Sequence, residues 1–137
     1  LPKAQVLFYP CLSLNFNYPS YLRYANAPIL NKKSMKWFWE IYLDSNLTIN
    51  DPLAVPMLEE NLSGLPQTIM CTAEIDPLAS DGIYYMEKLL DHGICVKHIH
   101  AKSLVHGFIR FREKSNCADQ YFWQVCNQIN EILRQST

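Results

Sequence analysis

Two residues suited to acid–base chemistry stand thirty positions apart in the second half of the chain. Asp76 opens the run Asp-Pro-Leu, and His106 opens the run His-Gly-Phe. A carboxylate can orient an imidazole, and an imidazole can accept and return a proton near neutral pH. No serine lies in a Gly-x-Ser-x-Gly pattern. The pair therefore predicts the acid and the base of a catalytic triad, without its nucleophile.

Both residues follow stretches that are typical of buried or half-buried strands. Residues 67–74 form a largely hydrophobic run that ends just before Asp76, and residues 95–101 form a second extended run shortly before His106. In open α/β sheets, functional groups gather at the carboxyl ends of parallel strands. We therefore expect the carboxylate and the imidazole to emerge from one edge of the sheet.

Each residue also has a simpler interpretation. An Asp before Pro often caps a helix, because its side chain accepts a backbone N–H and Pro suits the first helical turn. A single His in a loop is commonly a surface or hydrogen-bonded polar residue. A third alternative is a metal site, since His98 and His100 point to one face of a strand and His106 and Asp76 could complete the ligand set.

Length and composition indicate one ordinary globular domain. The chain has 137 residues, 49% of them hydrophobic, with a formal net charge of −1. This balance predicts no nucleic-acid partner, and the absence of a long apolar run predicts no stable membrane insertion. The cysteines are odd in number and form no CxxC pair, which favours a reducing, cytoplasmic location over a disulfide framework. They are Cys11, Cys71, Cys95, Cys117 and Cys126.

The hydrophobic pattern predicts three strands and three helices. The first strand is residues 4–9, closed by Pro10, and residues 11–33 are expected to be a covering loop. The predicted helices are 34–43 with Ser34 as its cap, 78–92 with Gly93 as a left-handed C-terminal cap, and 118–133. Because a strand, a helix and another strand alternate from residue 67 to 101, we expect a parallel sheet.

The helix at 34–43 is apolar around well over half of its circumference. Trp37, Phe38, Trp39 and Tyr42 contribute most of that surface. Such a helix must be buried on more than one side or line an apolar cavity. We expect its aromatic side chains to belong to the core rather than to a substrate pocket, and the helix at 78–92 to bury Ile83, Met86, Leu89 and Leu90.

Several further motifs stand out: Gly64-Leu65-Pro66, the run Thr72 to Leu78, Gly82 with Tyr85, and Val105-His106-Gly107-Phe108. Together they resemble the C-terminal half of the hormone-sensitive-lipase-like family of α/β-hydrolases, which includes carboxylesterases and acetyl esterases. Tyr9-Pro10, the aromatic helix, Asp51-Pro52 and Pro56 extend the resemblance upstream. It implies a three-layer α/β-hydrolase fold, represented by about three parallel strands flanked by helices.

By this resemblance, residues 1–137 are the C-terminal part of one α/β-hydrolase domain, with 14–60 as a lid or connector segment. Asp76 would be the triad acid and His106 the general base, acting without a cofactor on a small acyl ester. The Gly-x-Ser-x-Gly elbow and the His-Gly-Gly-Gly oxyanion loop of the family are absent from the 137 residues. The chain alone is therefore expected to be inactive, as a fragment of an esterase or lipase-like hydrolase.

Smaller departures from the family pattern fall at Ser80-Asp81, where a charged pair is usual, and at Ser103, where a glycine is common. A chain of this kind would leave the strand at 4–9 with an open edge, which predicts self-association or pairing with the missing N-terminal half. A competing hypothesis is a non-catalytic interaction module that has kept the hydrolase shape. Ester hydrolysis after an N-terminal half is supplied distinguishes the two.

Overall fold

A sheet of three parallel strands forms the centre of the computed structural model, which describes residues 2–134. The strands are, in chain and spatial order, β1 (Ala4–Phe8), β2 (Gln67–Ile75) and β3 (Val96–Val105). Cys71 in β2 pairs with Phe8 on one side and with Ile99 on the other. The predicted parallel sheet is confirmed, and β2 is its central strand.

Within the described residues, four α-helices flank the sheet or cover its carboxyl edge. They are α1 (Pro19–Arg23), α2 (Lys32–Tyr42), α3 (Ala79–Asp91) and α4 (Asn116–Arg134). Two 3₁₀ turns, Pro56–Leu58 and Phe108–Phe111, complete the described segments. No helix within residues 2–134 is long and apolar enough to cross a membrane.

Alternate residues of β2 build the two faces of a three-layer structure. Ile69 and Cys71 pack in a core with Val125 of α4. On the other face, Met70 packs in a core with Leu89 of α3. Because β2 is covered on both faces, its residues from Thr68 to Ala73 are all buried, as expected for a central parallel strand.

Two helix ends were predicted from the sequence, and the structure confirms one and corrects the other. Gly93 follows α3 with a φ of +75°, which confirms the predicted left-handed C-terminal position. The predicted Ser34 cap is wrong, because α2 begins at Lys32 and Asn31 is the cap. Asn31 accepts the N–H of Ser34 while the Ser34 hydroxyl accepts the N–H of Asn31, which is a reciprocal capping box.

The covering segment is more structured and less buried than the sequence suggests. The expected loop at 11–33 contains α1. Trp39 is only 5% exposed, but Trp37, Phe38 and Tyr42 are 48–64% exposed, so the expectation that the aromatic residues belong to the core is wrong for these three. Helical periodicity identifies an apolar arc without showing which part of it is covered. On α3, Leu90 is likewise half-exposed and Tyr85 is buried instead.

β3 continues four residues beyond its predicted end at 101. Ala73 pairs with Ala101 and Ile75 pairs with Val105, so β3 holds two extra residues opposite this part of β2. Ser103, within the irregularity, has a φ of +59°. Its backbone N–H donates to the Glu74 carboxylate. The left-handed conformation of Ser103 accommodates the extra residues of the bulge, and β3 then continues to Val105. His106 therefore directly follows the end of β3.

Ser103 offers a test of this backbone geometry. We expect Ser103→Val to lower the free energy of unfolding by about 1–2 kcal/mol, because a β-branched residue is strained at positive φ. Ser103→Gly should be at least as stable as the wild type, since Gly adopts this conformation freely. Urea denaturation of both variants measures the difference. Lys102→Val, at the preceding exposed strand position, is the control, and an equal loss in it would contradict the argument.

Candidate active site at the carboxyl edge of the sheet

Asp76 lies immediately after β2 and is completely buried. Its Oδ1 atom accepts the backbone N–H of Leu78 at 2.9 Å. This contact is an Asx turn and not the expected helix cap, because α3 begins at Ala79 with Leu78 as its N-cap residue and has no side-chain cap. It uses only one carboxylate oxygen. The other oxygen, Oδ2, is available for a second partner.

That partner is His106, which lies immediately after β3. Nδ1 of His106 lies 2.8 Å from Oδ2 of Asp76, and the His106 side chain is 23% exposed. Because an ionised carboxylate only accepts hydrogen bonds, the Nδ1–H group donates to it. This tautomer leaves Nε2 as the ring atom that can accept a proton. The structure therefore brings the two sequence-predicted residues into direct contact, while the other oxygen of Asp76 keeps its hydrogen bond with Leu78.

Gly107 turns the chain sharply after His106. Its φ is +71°, and a Cβ atom placed there would lie 2.9 Å from Nη2 of Arg110. The chain then enters the 3₁₀ turn Phe108–Phe111, whose first residue is buried in the core against α4. The His-Gly-Phe motif thus combines an imidazole, a turn and a buried aromatic ring in three successive residues.

Sequence reasoning did not identify Tyr9 as part of this site. It follows β1, and its ring centroid lies 4.5 Å from that of His106. Burial raises the pKa of the Tyr9 phenol, so the ring is neutral at physiological pH. The strand ends of β1, β2 and β3 thus deliver Tyr9, Asp76 and His106 to one place. The Tyr9-Pro10 pair directly after a strand was the available signal.

A second buried carboxylate, Asp81, was also missed as a functional candidate. Its Oδ2 atom accepts the N–H groups of Leu12 and Ser13, both at 2.9 Å. Its Oδ1 atom is buried and has no hydrogen-bond partner among the described residues. Burial raises the pKa of Asp81 to about 7, although the two N–H groups act in the opposite direction. Asp81 ties the segment after β1 to the first turn of α3.

A pair of serines fastens the covering segment to the same region. The N–H of Ser20 in α1 donates to the hydroxyl of Ser80, and the N–H of Ser80 donates to the hydroxyl of Ser20. The Ser20 hydroxyl also donates to the carbonyl of Pro77. Ser80, which departs from the family pattern two residues beyond the Asp-Pro-Leu motif, therefore has Ser20 as its structural partner.

An apolar cavity of about 350 Å³ opens between α2 and the segments on either side of it. Its lining is mostly aromatic and aliphatic, and consists of Cys11, Met35, Phe38, Trp39, Tyr42, Leu53, Ala54 and Pro56. The hydrophobic pattern predicted that this helix is buried on more than one side or lines an apolar cavity, and the structure shows the cavity. A cavity with this lining suits hydrocarbon better than a charged ligand.

The histidines proposed as alternative metal ligands have other partners. His98 Nε2 and His100 Nδ1 each lie 2.9 Å from the hydroxyl of Thr72. Burial and the neighbouring His100 lower the pKa of His98. His106 pairs with Asp76 instead. Within residues 2–134, no three His, Cys, Asp or Glu side chains are placed to hold a metal ion, so their positions do not favour the metal hypothesis.

Comparison with known proteins found a matching family and several similar proteins. A family described as alpha/beta hydrolase fold matches residues 1–110. The chain is 35% identical over 111 residues to carboxylesterase NlhH of Mycobacterium tuberculosis, covering 78% of this chain and 34% of NlhH. It is 27% identical over 132 residues to ethyl acetate hydrolase of Pseudomonas putida, covering 96% and 42% of the two chains.

Solved esterase structures have the same arrangement of elements. One of the two fungal esterases studied from Rhizomucor miehei superposes with a TM-score of 0.89 at 27% identity, covering 97% of this chain and 42% of that one. The chain spans about a third to two fifths of the length of the relatives that it matches.

Proposed function

This chain belongs to the α/β-hydrolase fold family, within its hormone-sensitive-lipase-like branch, and we propose that it supplies the acid and the base of a carboxylic ester hydrolase. Asp76 is the acid and His106 is the general base. The observation that carries the proposal is the 2.8 Å contact between His106 Nδ1 and Asp76 Oδ2 at the carboxyl edge of the sheet.

The geometry suits the two proton transfers that ester hydrolysis requires. With Nδ1–H donated to Asp76, Nε2 can take the proton of a serine hydroxyl as it attacks the ester carbonyl. The same nitrogen then returns the proton to the leaving alcohol. The buried carboxylate holds the ring in this tautomer and stabilises the imidazolium formed between the two steps.

The nucleophile and the oxyanion donors would come from outside these 137 residues. The glycines stand at positions 64, 82, 93 and 107, and none forms a Gly-x-Ser-x-Gly with a serine. Loss of one member of a triad typically removes several orders of magnitude of rate. The isolated chain is therefore proposed to be inactive toward esters.

The substrate proposed for the complete enzyme is a small acyl ester. The 350 Å³ cavity beside α2 is lined mainly by apolar side chains and is large enough for a short acyl or alkyl group. The segment 14–60, which contains α1 and α2, is proposed to act as the lid over that group. A cytoplasmic location remains a proposal that rests on the cysteine pattern.

β1 is proposed as the edge that receives the rest of the hydrolase sheet. β1 pairs only with β2 within the described residues, so its other side offers backbone groups to a further strand. An apolar cavity of about 290 Å³ lies beside it, lined by Lys3, Ala4, Val6, Ile69, Ile129, Ile132 and Leu133. The partner is an N-terminal hydrolase half, or a second copy of the chain when that half is missing.

Reconstitution tests the proposal in two steps. The chain is mixed with an upstream hydrolase segment that carries a Gly-x-Ser-x-Gly and a His-Gly-Gly-Gly, and sedimentation velocity establishes whether a complex forms. Hydrolysis of p-nitrophenyl acetate is then measured for the complex and for each part alone. We expect activity only in the complex, because only there are all three triad members present.

The matched control is the same upstream segment with its elbow serine replaced by alanine. It should bind the chain equally well and hydrolyse nothing. A folded complex with an intact serine and no activity would contradict the esterase proposal and favour the interaction module.

A further inference from the structure

We infer that Tyr9 is the positioning residue of the general base, holding the His106 ring in the orientation in which Nε2 faces the nucleophile. The inference rests on the proposed function of His106. It goes beyond the triad, because it adds a residue from the end of β1 that does not itself exchange a proton with substrate.

His106 needs a second restraint in addition to Asp76. The contact between Nδ1 and Oδ2 restrains one end of the imidazole. A single hydrogen bond leaves the imidazole able to rotate about the Cβ–Cγ bond, and such rotation moves Nε2 and weakens the bond between Nδ1 and Oδ2. Tyr9 supplies the restraint, since its ring centroid is 4.5 Å from that of His106 with the two planes tilted by 59°.

Tyr9 is itself held by its backbone and by a neighbouring ring. Its N–H donates to the carbonyl of Cys71, which extends the β1–β2 ladder one residue beyond the strand. Its side chain also packs edge-on against Phe108, with centroids 5.7 Å apart. Phe108 is in turn buried in the core beneath α4. The ring beside His106 is therefore anchored to the rigid part of the fold.

The backbone at Tyr9 is an unusual conformation for a residue with a side chain. Its φ is +35°, in the region that favours glycine. Such conformations persist where the surroundings impose them, and they are frequent at functional sites. Here the conformation turns the Tyr9 ring from the end of β1 to the place where β3 delivers His106.

The charges around the pair are compatible with this role. Asp76, at the end of β2, faces both rings, and Arg110, from the 3₁₀ turn after Gly107, lies within electrostatic range of Tyr9.

The test uses a non-aromatic substitution that preserves both bulk and backbone strain. Tyr9→Leu has the same unfavourable positive φ as tyrosine but lacks the ring, whereas Tyr9→Phe keeps the ring and removes only the hydroxyl. Proton and nitrogen NMR of the histidine-labelled chain follows the Nδ1 proton of His106, which is assigned by its loss in His106→Ala. Tyr9→Met provides a second non-aromatic variant if Tyr9→Leu does not fold.

We expect Tyr9→Leu to increase solvent exchange of the Nδ1 proton by at least about tenfold, and Tyr9→Phe to resemble the wild type. In the reconstituted enzyme, Tyr9→Leu should lower kcat about tenfold or more with little change in KM, and Tyr9→Phe should restore it. Unchanged exchange in a folded Tyr9→Leu chain would overturn the inference, as would a Tyr9→Phe variant that behaves like Tyr9→Leu. Since exchange is measured on the chain alone, it is independent of whether any complex hydrolyses esters.

Discussion

Replacing His106 by alanine is expected to lower kcat of the reconstituted hydrolase by roughly 10⁴- to 10⁶-fold. The imidazole is the group proposed to accept the serine proton and to return it to the leaving alcohol, and alanine can do neither. Release of p-nitrophenol from p-nitrophenyl acetate measures the loss. KM should change far less, because His106 is assigned no role in binding the acyl group.

Asp76→Asn is expected to lower kcat by roughly 10⁴-fold, because His106 stays in place but changes to the wrong tautomer. The structure gives a specific reason. Oδ1 of Asp76 accepts the N–H of Leu78, so the single oxygen of asparagine is retained there and the amide nitrogen faces His106. That nitrogen donates, which makes Nδ1 the acceptor and places the ring proton on Nε2. The base then cannot take the serine proton.

Asp91→Asn is the matched control for this pair of substitutions. It removes one carboxylate from the exposed end of α3, and its kcat should equal that of the wild type. Nitrogen chemical shifts of the His106 ring distinguish the two tautomers directly. If a complex with His106→Ala or Asp76→Asn keeps kcat within tenfold of the wild type, the roles of His106 as general base and Asp76 as triad acid are contradicted.

Asp81→Asn is expected to change the pH dependence of stability. The pKa of Asp81 is raised from 3.8 to about 7 by burial, so the folded state binds its proton more tightly than the unfolded state does. The stability that this proton contributes is fully present below about pH 4 and is lost as the pH rises to about 7. The loss approaches about 4 kcal/mol when three pKa units are converted at 1.36 kcal/mol each.

The asparagine variant should lack this loss. Its side-chain oxygen can accept the N–H groups of Leu12 and Ser13, as Oδ2 of Asp81 does, and its neutral amide replaces the buried oxygen that has no partner among the described residues. Urea denaturation from pH 4 to pH 8 should show the variant gaining about 2–4 kcal/mol relative to the wild type as the pH rises.

The comparison again uses Asp91→Asn, whose stability should follow the wild type at every pH because that carboxylate is exposed. Parallel stability curves for Asp81→Asn and the wild type would contradict the assignment of a titrating, buried Asp81. Since the measurement needs only the folded chain, it is independent of the esterase proposal.

Local patterns in the sequence determined most of the fold. The hydrophobic runs identify three strands, and the structure pairs them in parallel with β2 in the centre. Gly93 marks the end of α3 because only a left-handed residue continues the chain there. Asp76 and His106 could be identified because each directly follows a strand, and parallel strands bring their carboxyl ends together. These features depend on neighbours in sequence or on a general rule of sheet topology.

Contacts between distant segments were decided only by the tertiary structure. The packing of Tyr9 on His106 joins residues nearly a hundred positions apart, and the bonds from Leu12 and Ser13 to Asp81 span almost seventy. The exposed aromatic face of α2 depends on what covers the helix, which periodicity does not contain. Side-chain types and spacing thus identified Asp76 and His106 as a candidate pair. The packing of Tyr9 beside His106 and the burial of a second carboxylate arise only when the three strand ends meet.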